Sequence, residues 1–199
     1  LVERNVDGLG NPSMRFSMNF YGASALSMKD YVGYQQDLIV GASLRVWAPW
    51  SQYDETRLVN IGTNRWSFKP ELGASKAFGP WIAEFQTGIT FFTVNDDFFN
   101  GKRVEQEPLY SAQVHLIYNF RSGIWASVDT TYYTGGGTTV NDAVNNDLQR
   151  NWRGGATLSF PLDRQSSVKL YASSGVSART SNSFDLIGVA YQYRWAGGS

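Results

Sequence analysis

There is no cysteine in the 199 residues, so neither a disulfide framework nor a thiolate metal site holds this chain together, and sulfur chemistry says nothing of its compartment. Excess charge is missing too. The 17 Lys and Arg balance 17 Asp and Glu, which removes the basic surface that a nucleic-acid partner requires. No apolar run approaches the roughly 18 residues of a spanning helix, the longest being a few residues broken by Gly, Ser or charge. A helical membrane protein is thereby excluded. Neither a Met nor a charged-then-apolar leader opens the chain at Leu1, so a signal peptide is expected to have been removed, or sequence to lie upstream.

What is present is aromatic and alternating. Aromatics reach 15% against 17% charged residues, and a mean hydropathy of −0.31 is too polar for a bundle of apolar helices. Met14, Phe16, Met18 and Phe20 alternate with Arg15, Ser17 and Asn19, as in a strand with one apolar and one polar face. The pattern recurs through Leu38–Trp47, Trp66–Leu72, Trp81–Phe91, Tyr110–Phe120, Ile124–Tyr132, Trp152–Phe160, Val168–Val176 and Ile187–Trp195, which makes nine candidate strands in one domain over residues 1–199. Pro70 has no N–H for a ladder, so it should stand at a bulge or where pairing lapses.

A soluble barrel or sandwich makes the same stripe with its apolar face inward. Three features favour the inverse, an all-β transmembrane antiparallel β-barrel. Trp66, Trp81, Tyr110, Tyr132, Trp152, Tyr191 and Trp195 stand near strand ends on apolar faces, as aromatic girdles at two membrane interfaces do. Polar faces hold charges in mid-strand. Connections alternate between tight (77–80, 121–123, 161–166) and long and polar (49–63, 94–108, 135–150), as expected of short periplasmic turns and long external loops. The connection 22–36 is long yet periplasmic by this parity, and Ser27 with Asp30, flanked by Leu26 and Tyr31, predicts a short helix near Met28 to Val32. Nine strands cannot close such a barrel, so either an odd number is expected upstream of residues 1–12, which read as an external loop, or a tenth strand lies within Leu1 to Val6.

By parity Arg15, Arg45, Lys69, Glu71, Glu84, Gln113, His115, Asp129, Arg153, Lys169, Tyr171, Gln192 and Arg194 point into the lumen. Cations outnumber anions in that set, so either a mildly positive bore favours anions, or the charges pair across strands and brace the wall. Inward apolar residues such as Ile39, Trp47, Ile117 and Trp125 would let small aromatic solutes slide past. An outer-membrane hydrolase is the rival from another class, since His115 shares its strand face with Ser111 and Asn119. Residues four apart on a strand are about 13 Å apart, beyond hydrogen-bond reach, so a triad would need other strands. Asp96 and Asp97 are adjacent carboxylates without further ligands at defined spacing, and no metal or cofactor is expected. A surface adhesin or structural barrel with a closed lumen is the remaining alternative.

Particular stretches go beyond pattern. GLGNPSMRFSMNFYGASALSMKDY, DLIVGASLRVWAPWSQYD, RLVNIGTNRWSFKPELGASKAFGPW, TFFTVNDDFFNG, LYSAQVHLIYNFRSGIWASVDTTYYTGG and KLYASSGVSARTSNSFDLIGVAYQYRW span nearly the whole chain. It resembles the outer-membrane transporters associated with the meta-cleavage pathway of phenol degradation. That resemblance implies a monomeric barrel of about twelve strands in the bacterial outer membrane, the first three lying upstream. It also implies passage of small, often hydrophobic or aromatic molecules, with lipid and solutes as the partners.

Overall fold

The structure is a computed structural model that describes residues 7–24, 26, 34–120, 122–163, 165–177 and 185–193. Thirteen strands follow in chain order: β1 Ser13–Tyr21, β2 Leu38–Trp47, β3 Ser67–Phe78, β4 Trp81–Phe92, β5 Asn95–Phe98, β6 Lys102–Gln106, β7 Leu109–Asn119, β8 Trp125–Gly135, β9 Thr138–Val140, β10 Ala143–Val144, β11 Gln149–Pro161, β12 Ser166–Ser177 and β13 Leu186–Tyr193. Nine of them, in the order β1-β2-β3-β4-β7-β8-β11-β12-β13, form one sheet in which every neighbour is antiparallel. These are the nine strands that period-two alternation predicts. The helix expected near Met28 to Val32 lies outside the described residues, as do Arg194 and Trp195.

Two of the segments expected to be long polar loops are built differently. Residues 94–108 and 135–150 contribute β5, β6, β9 and β10, which make a second four-stranded sheet in the order β10-β9-β6-β5. Its tight turns use left-handed backbone at Asn100 and Gly101 (φ 63° and 73°) and at Asn141 and Asp142 (φ 44° and 64°). Asn, Asp and Gly tolerate that region, and two consecutive positive φ values match the right-handed twist of a hairpin.

Pro70 stands where expected. The β3–β4 ladder passes from Phe68↔Phe91 directly to Glu71↔Gly88, so the proline sits where pairing with β4 lapses. On the other side Pro70 is still in register with Leu44.

The distribution of exposure is the reverse of a soluble fold. Met18 is 67% and Ile187 87% exposed, whereas Glu71 is 8% and Ser159 3% exposed. Among the described residues only two apolar ones, Ala48 and Val104, are buried. A flat sheet would expose both faces alike, so this asymmetry means that the sheet curls around its polar face. The apolar face then has nothing to pack on except a solvent as apolar as itself, which is the arrangement that hydrocarbon outside the wall stabilises.

The tight turn between β11 and β12 is organised by Asp163. One carboxylate oxygen accepts the N–H groups of Gln165 and Ser166, both at 2.7 Å, and the other accepts the Ser166 hydroxyl at 2.5 Å. The Ser166 hydroxyl, followed by the two backbone donors, holds the Asp163 carboxyl below its usual pKa. A depressed carboxylate stabilises the fold above its unfolded-state pKa, and that contribution disappears as pH falls through the folded value. Asp163→Ala is accordingly expected to lower the unfolding midpoint in urea at pH 7, with the gap from the parent protein closing as pH drops below about 4. A gap that is constant with pH would show that the carboxylate charge plays no part.

Candidate functional site

Residues opposed across antiparallel ladders share a face, so the register assembles the polar side into rows that run across the strands. Nearest the long connections, Arg15, Arg45 and Lys69 form a cationic row on β1, β2 and β3. The next row places Ser43 beside Glu71. Beyond it come Gln86, Gln113, Thr131 and Arg153, and then Ser75, Glu84, His115, Asp129, Gly155 and Ser173. Lys69 and Ser75 belong to the first and last of these rows, six residues and so roughly 20 Å apart along β3. Tyr171 and Lys169 on β12 and Gln192 on β13 follow towards the tight turns. Every charged or polar residue picked out by parity that the structure describes thus lies on this one face.

The structure brings only some of them together. Glu71 is the hub: its carboxylate lies 2.8 Å from Lys69 Nζ and 3.3 Å from Arg15 Nη2, and it accepts the Ser43 hydroxyl at 3.1 Å. Arg15 in turn donates from Nε and Nη2 to Ser43 Oγ at 3.1 and 3.0 Å. Here charges brace the wall. Elsewhere the cations lie against rings, with Arg45 5.5 Å from the centroid of Trp47 and Lys169 5.4 Å from that of Trp125. Arg153 donates to Ser173 Oγ at 3.1 Å, and Glu84 accepts from Ser75 at the same distance. His115 is opposed on both sides by carboxylate residues, Glu84 and Asp129. Arg15, Ile39, Glu71, Glu84 and His115 all border a recess of about 180 Å³.

Close approach fixes Tyr171. A Cβ on Gly188 would fall 2.3 Å from the Tyr171 ring, so glycine at that position lets the phenol lie across the neighbouring strand. The hydrolase constellation does not assemble: Ser111 Oγ donates to the Gly88 carbonyl at 3.3 Å and Asn119 Nδ2 to that of Pro80 at 3.4 Å. Asp96 pairs with Arg103 at 3.8 Å, and no group of three or more metal-ligating side chains occurs among the described residues.

On the opposite, apolar face the aromatic residues gather at two levels. Trp66 stacks on Phe68 at 6.3 Å, and Tyr132 meets Trp152 at 4.8 Å, both with Tyr110 near the long connections. At the other end Trp81 packs edge-on to Tyr118, and Tyr118 on Phe120, each pair at 4.7 Å, with Tyr191 at the same end of the sheet. From Tyr110 to Tyr118 is roughly 27 Å along the strand, which a tilt of about 40° reduces to roughly 21 Å of height, a little less than the apolar band of about 25 Å.

Comparison with known proteins agrees with this geometry. Residues 3–193 match the family described as "Putative MetA-pathway of phenol degradation". The chain belongs to that family. The crystal structure of an outer-membrane channel from Pseudomonas putida F1 superposes with a TM-score of 0.80 at 18% identity, covering 94% of this chain and 67% of that one. No curated protein matches significantly. The likeness to that channel shows the fold, which is the antiparallel β-barrel of an outer-membrane protein.

One residue escaped the sequence reading altogether. Arg65, between β2 and β3, lies with its guanidinium carbon 4.8 Å from the centroid of Phe92 and donates from Nη2 to Gln106 Oε1. Burial pushes its pKa down from the ordinary value, with a smaller opposing influence from Tyr53. It lies in no alternating segment, so no pattern singled it out. The Asn100-Gly101 dipeptide was the available signal for the hairpin that covers it.

Proposed function

We propose that this chain forms the wall of an outer-membrane channel through which small solutes, hydrophobic and aromatic ones among them, diffuse passively as the barrel stands alone in the membrane. The observation that carries the reading is the inverted exposure in the middle of the sheet: Glu71, Ser111, Ser127 and Ser159 are buried while Leu72, Phe85 and Val128 are bare. An enclosed polar face is stable only if water reaches it, and a water-filled bore lined by scattered weak binding groups is what conduction needs. Arg15, Arg45, Lys69, Glu71, Glu84, Gln113, His115, Asp129, Arg153, Lys169, Tyr171 and Gln192 are the lining, and the Trp and Tyr clusters are the two girdles. Ile39, Trp47 and Trp125 on the same face give aromatic solutes places to rest. On this reading the chain carries no catalytic site and needs no cofactor.

Liposome swelling tests it directly. Vesicles containing the folded protein should swell in isosmotic small aromatic alcohols and small sugars and not in large oligosaccharides. Correctly folded protein that neither swells vesicles nor passes current in a planar bilayer rejects the channel and favours a closed structural barrel.

A further inference from the structure

Imidazole is the side chain that ordinarily changes its charge between pH 5 and 8, and these 199 residues hold one, His115. No cysteine competes with it in that range. The register sets it on the enclosed face in the middle of β7, between Glu84 on β4 and Asp129 on β8. The ring is half-buried, borders the recess of about 180 Å³, and makes no hydrogen bond or ion pair with a described residue. No nitrogen of the ring is among the buried atoms that lack a partner, so the imidazole is open to water.

The carboxylates beside it keep their charge uncompensated. Glu84 accepts from Ser75 Oγ at 3.1 Å, and neither Glu84 nor Asp129 forms an ion pair with a described residue. Gly155, across from Asp129 on β11, leaves that carboxylate its room, since a Cβ there would fall 2.7 Å from Oδ2. The row above places Gln86, Gln113 and Thr131 next to His115, and its one charge, Arg153, stands two strands away and donates to Ser173 Oγ. The row below, Ile82, Ile117, Ser127 and Thr157, carries none. On β7 itself no other titratable side chain shares the face. Glu71, with Arg15 and Lys69 paired to it, is four residues along β3 from Ser75, roughly 13 Å and so beyond the screening length of about 10 Å at 0.1 M salt.

Resting on the channel reading, we propose that His115 makes the charge selectivity of the bore depend on pH. Uncharged at pH 8, it leaves Glu84 and Asp129 to favour cations at this level. Protonated from bulk water at pH 5.5, where ordinary carboxylates are still ionised, it offsets one of the two and admits anions more readily. One elementary charge added about 4 Å from the path of the ions changes their relative entry roughly fivefold in water.

Reversal potentials of the full-length protein in a planar bilayer of zwitterionic lipid, across a gradient of potassium chloride near 0.1 M, are the test, with each variant's fold verified by heat-dependent gel mobility. The anion-to-cation permeability ratio of the parent should rise roughly fivefold between pH 8 and pH 5.5. His115→Gln should keep the parent's pH 8 ratio throughout. His115→Lys, charged at both ends of the range, should show at pH 8 the ratio that the parent reaches at pH 5.5. A flat ratio in a conducting parent, or a His115→Gln ratio that follows the parent's, overturns the proposal while the current itself upholds the channel. A silent bilayer with correctly folded protein rejects the channel reading, and this inference with it.

Discussion

Arginine at Val114 should block membrane folding, and arginine at the adjacent Gln113 should not. Val114 sits in the middle of β7 on the exposed face, between Phe85 and Thr130 in register, while Gln113 lies between Gln86 and Thr131 on the enclosed face. A charge on the lipid side of a barrel costs about 2 to 4 kcal/mol at the bilayer midplane, and a long cation in an aqueous bore costs far less. Urea titration of folding into vesicles, followed by gel mobility, should place Val114→Arg at least 2 kcal/mol below the parent by that estimate, with Gln113→Arg close to it. Similar losses at both positions would mean that neither side of the sheet meets lipid.

On the proposed channel reading, replacing Glu71 with glutamine should turn permeation towards anions. Glu71 pairs with both Lys69 at 2.8 Å and Arg15 at 3.3 Å, in a stretch where Arg45 adds a third cation to the row. Removing the carboxylate leaves that row uncompensated. An elementary charge at 4 Å is worth about 1 kcal/mol in water and about 4 at an effective dielectric of 20, and a hydrated bore lies near the lower figure. The anion-to-cation permeability ratio is therefore expected to rise roughly fivefold, read as a shift in reversal potential across a salt gradient, and to shrink at high salt. An open channel with an unchanged reversal potential would place Glu71 away from the path of ions. Lys69 and Arg15 also lose their shared acceptor, so a modest fall in stability should accompany the change.

The nine main strands were legible because alternation with a period of two is a local property, written into each segment separately. Pro70 shows how local it is: the absent N–H alone foretold a lapse in the ladder, and the β3–β4 register has one there. The facing of the charged residues followed from the same parity. Which of them meet did not. Arg15, Ser43 and Glu71 come from three different strands, and only the register of β1 on β2 and β2 on β3 makes them one network. The loop sheet was missed for a related reason. Its strands are two to five residues long, too short for alternation to stand out from loop composition, and they exist because segments distant in sequence, such as Val104 and Val140, pair.

The sequence by itself determined that this chain builds amphipathic strands with tight turns on one rim and long connections on the other, since periodicity and turn chemistry depend on neighbours a few residues away. Its long matching stretches also pointed to the family. Only the tertiary structure decided which face is enclosed, because one stripe suits both a dry core and a lipid-facing wall until the sheet curls. It alone decided, too, that Arg65 Nε and Nη1 are buried without a protein partner, since burial is a property of what other segments bring to a residue.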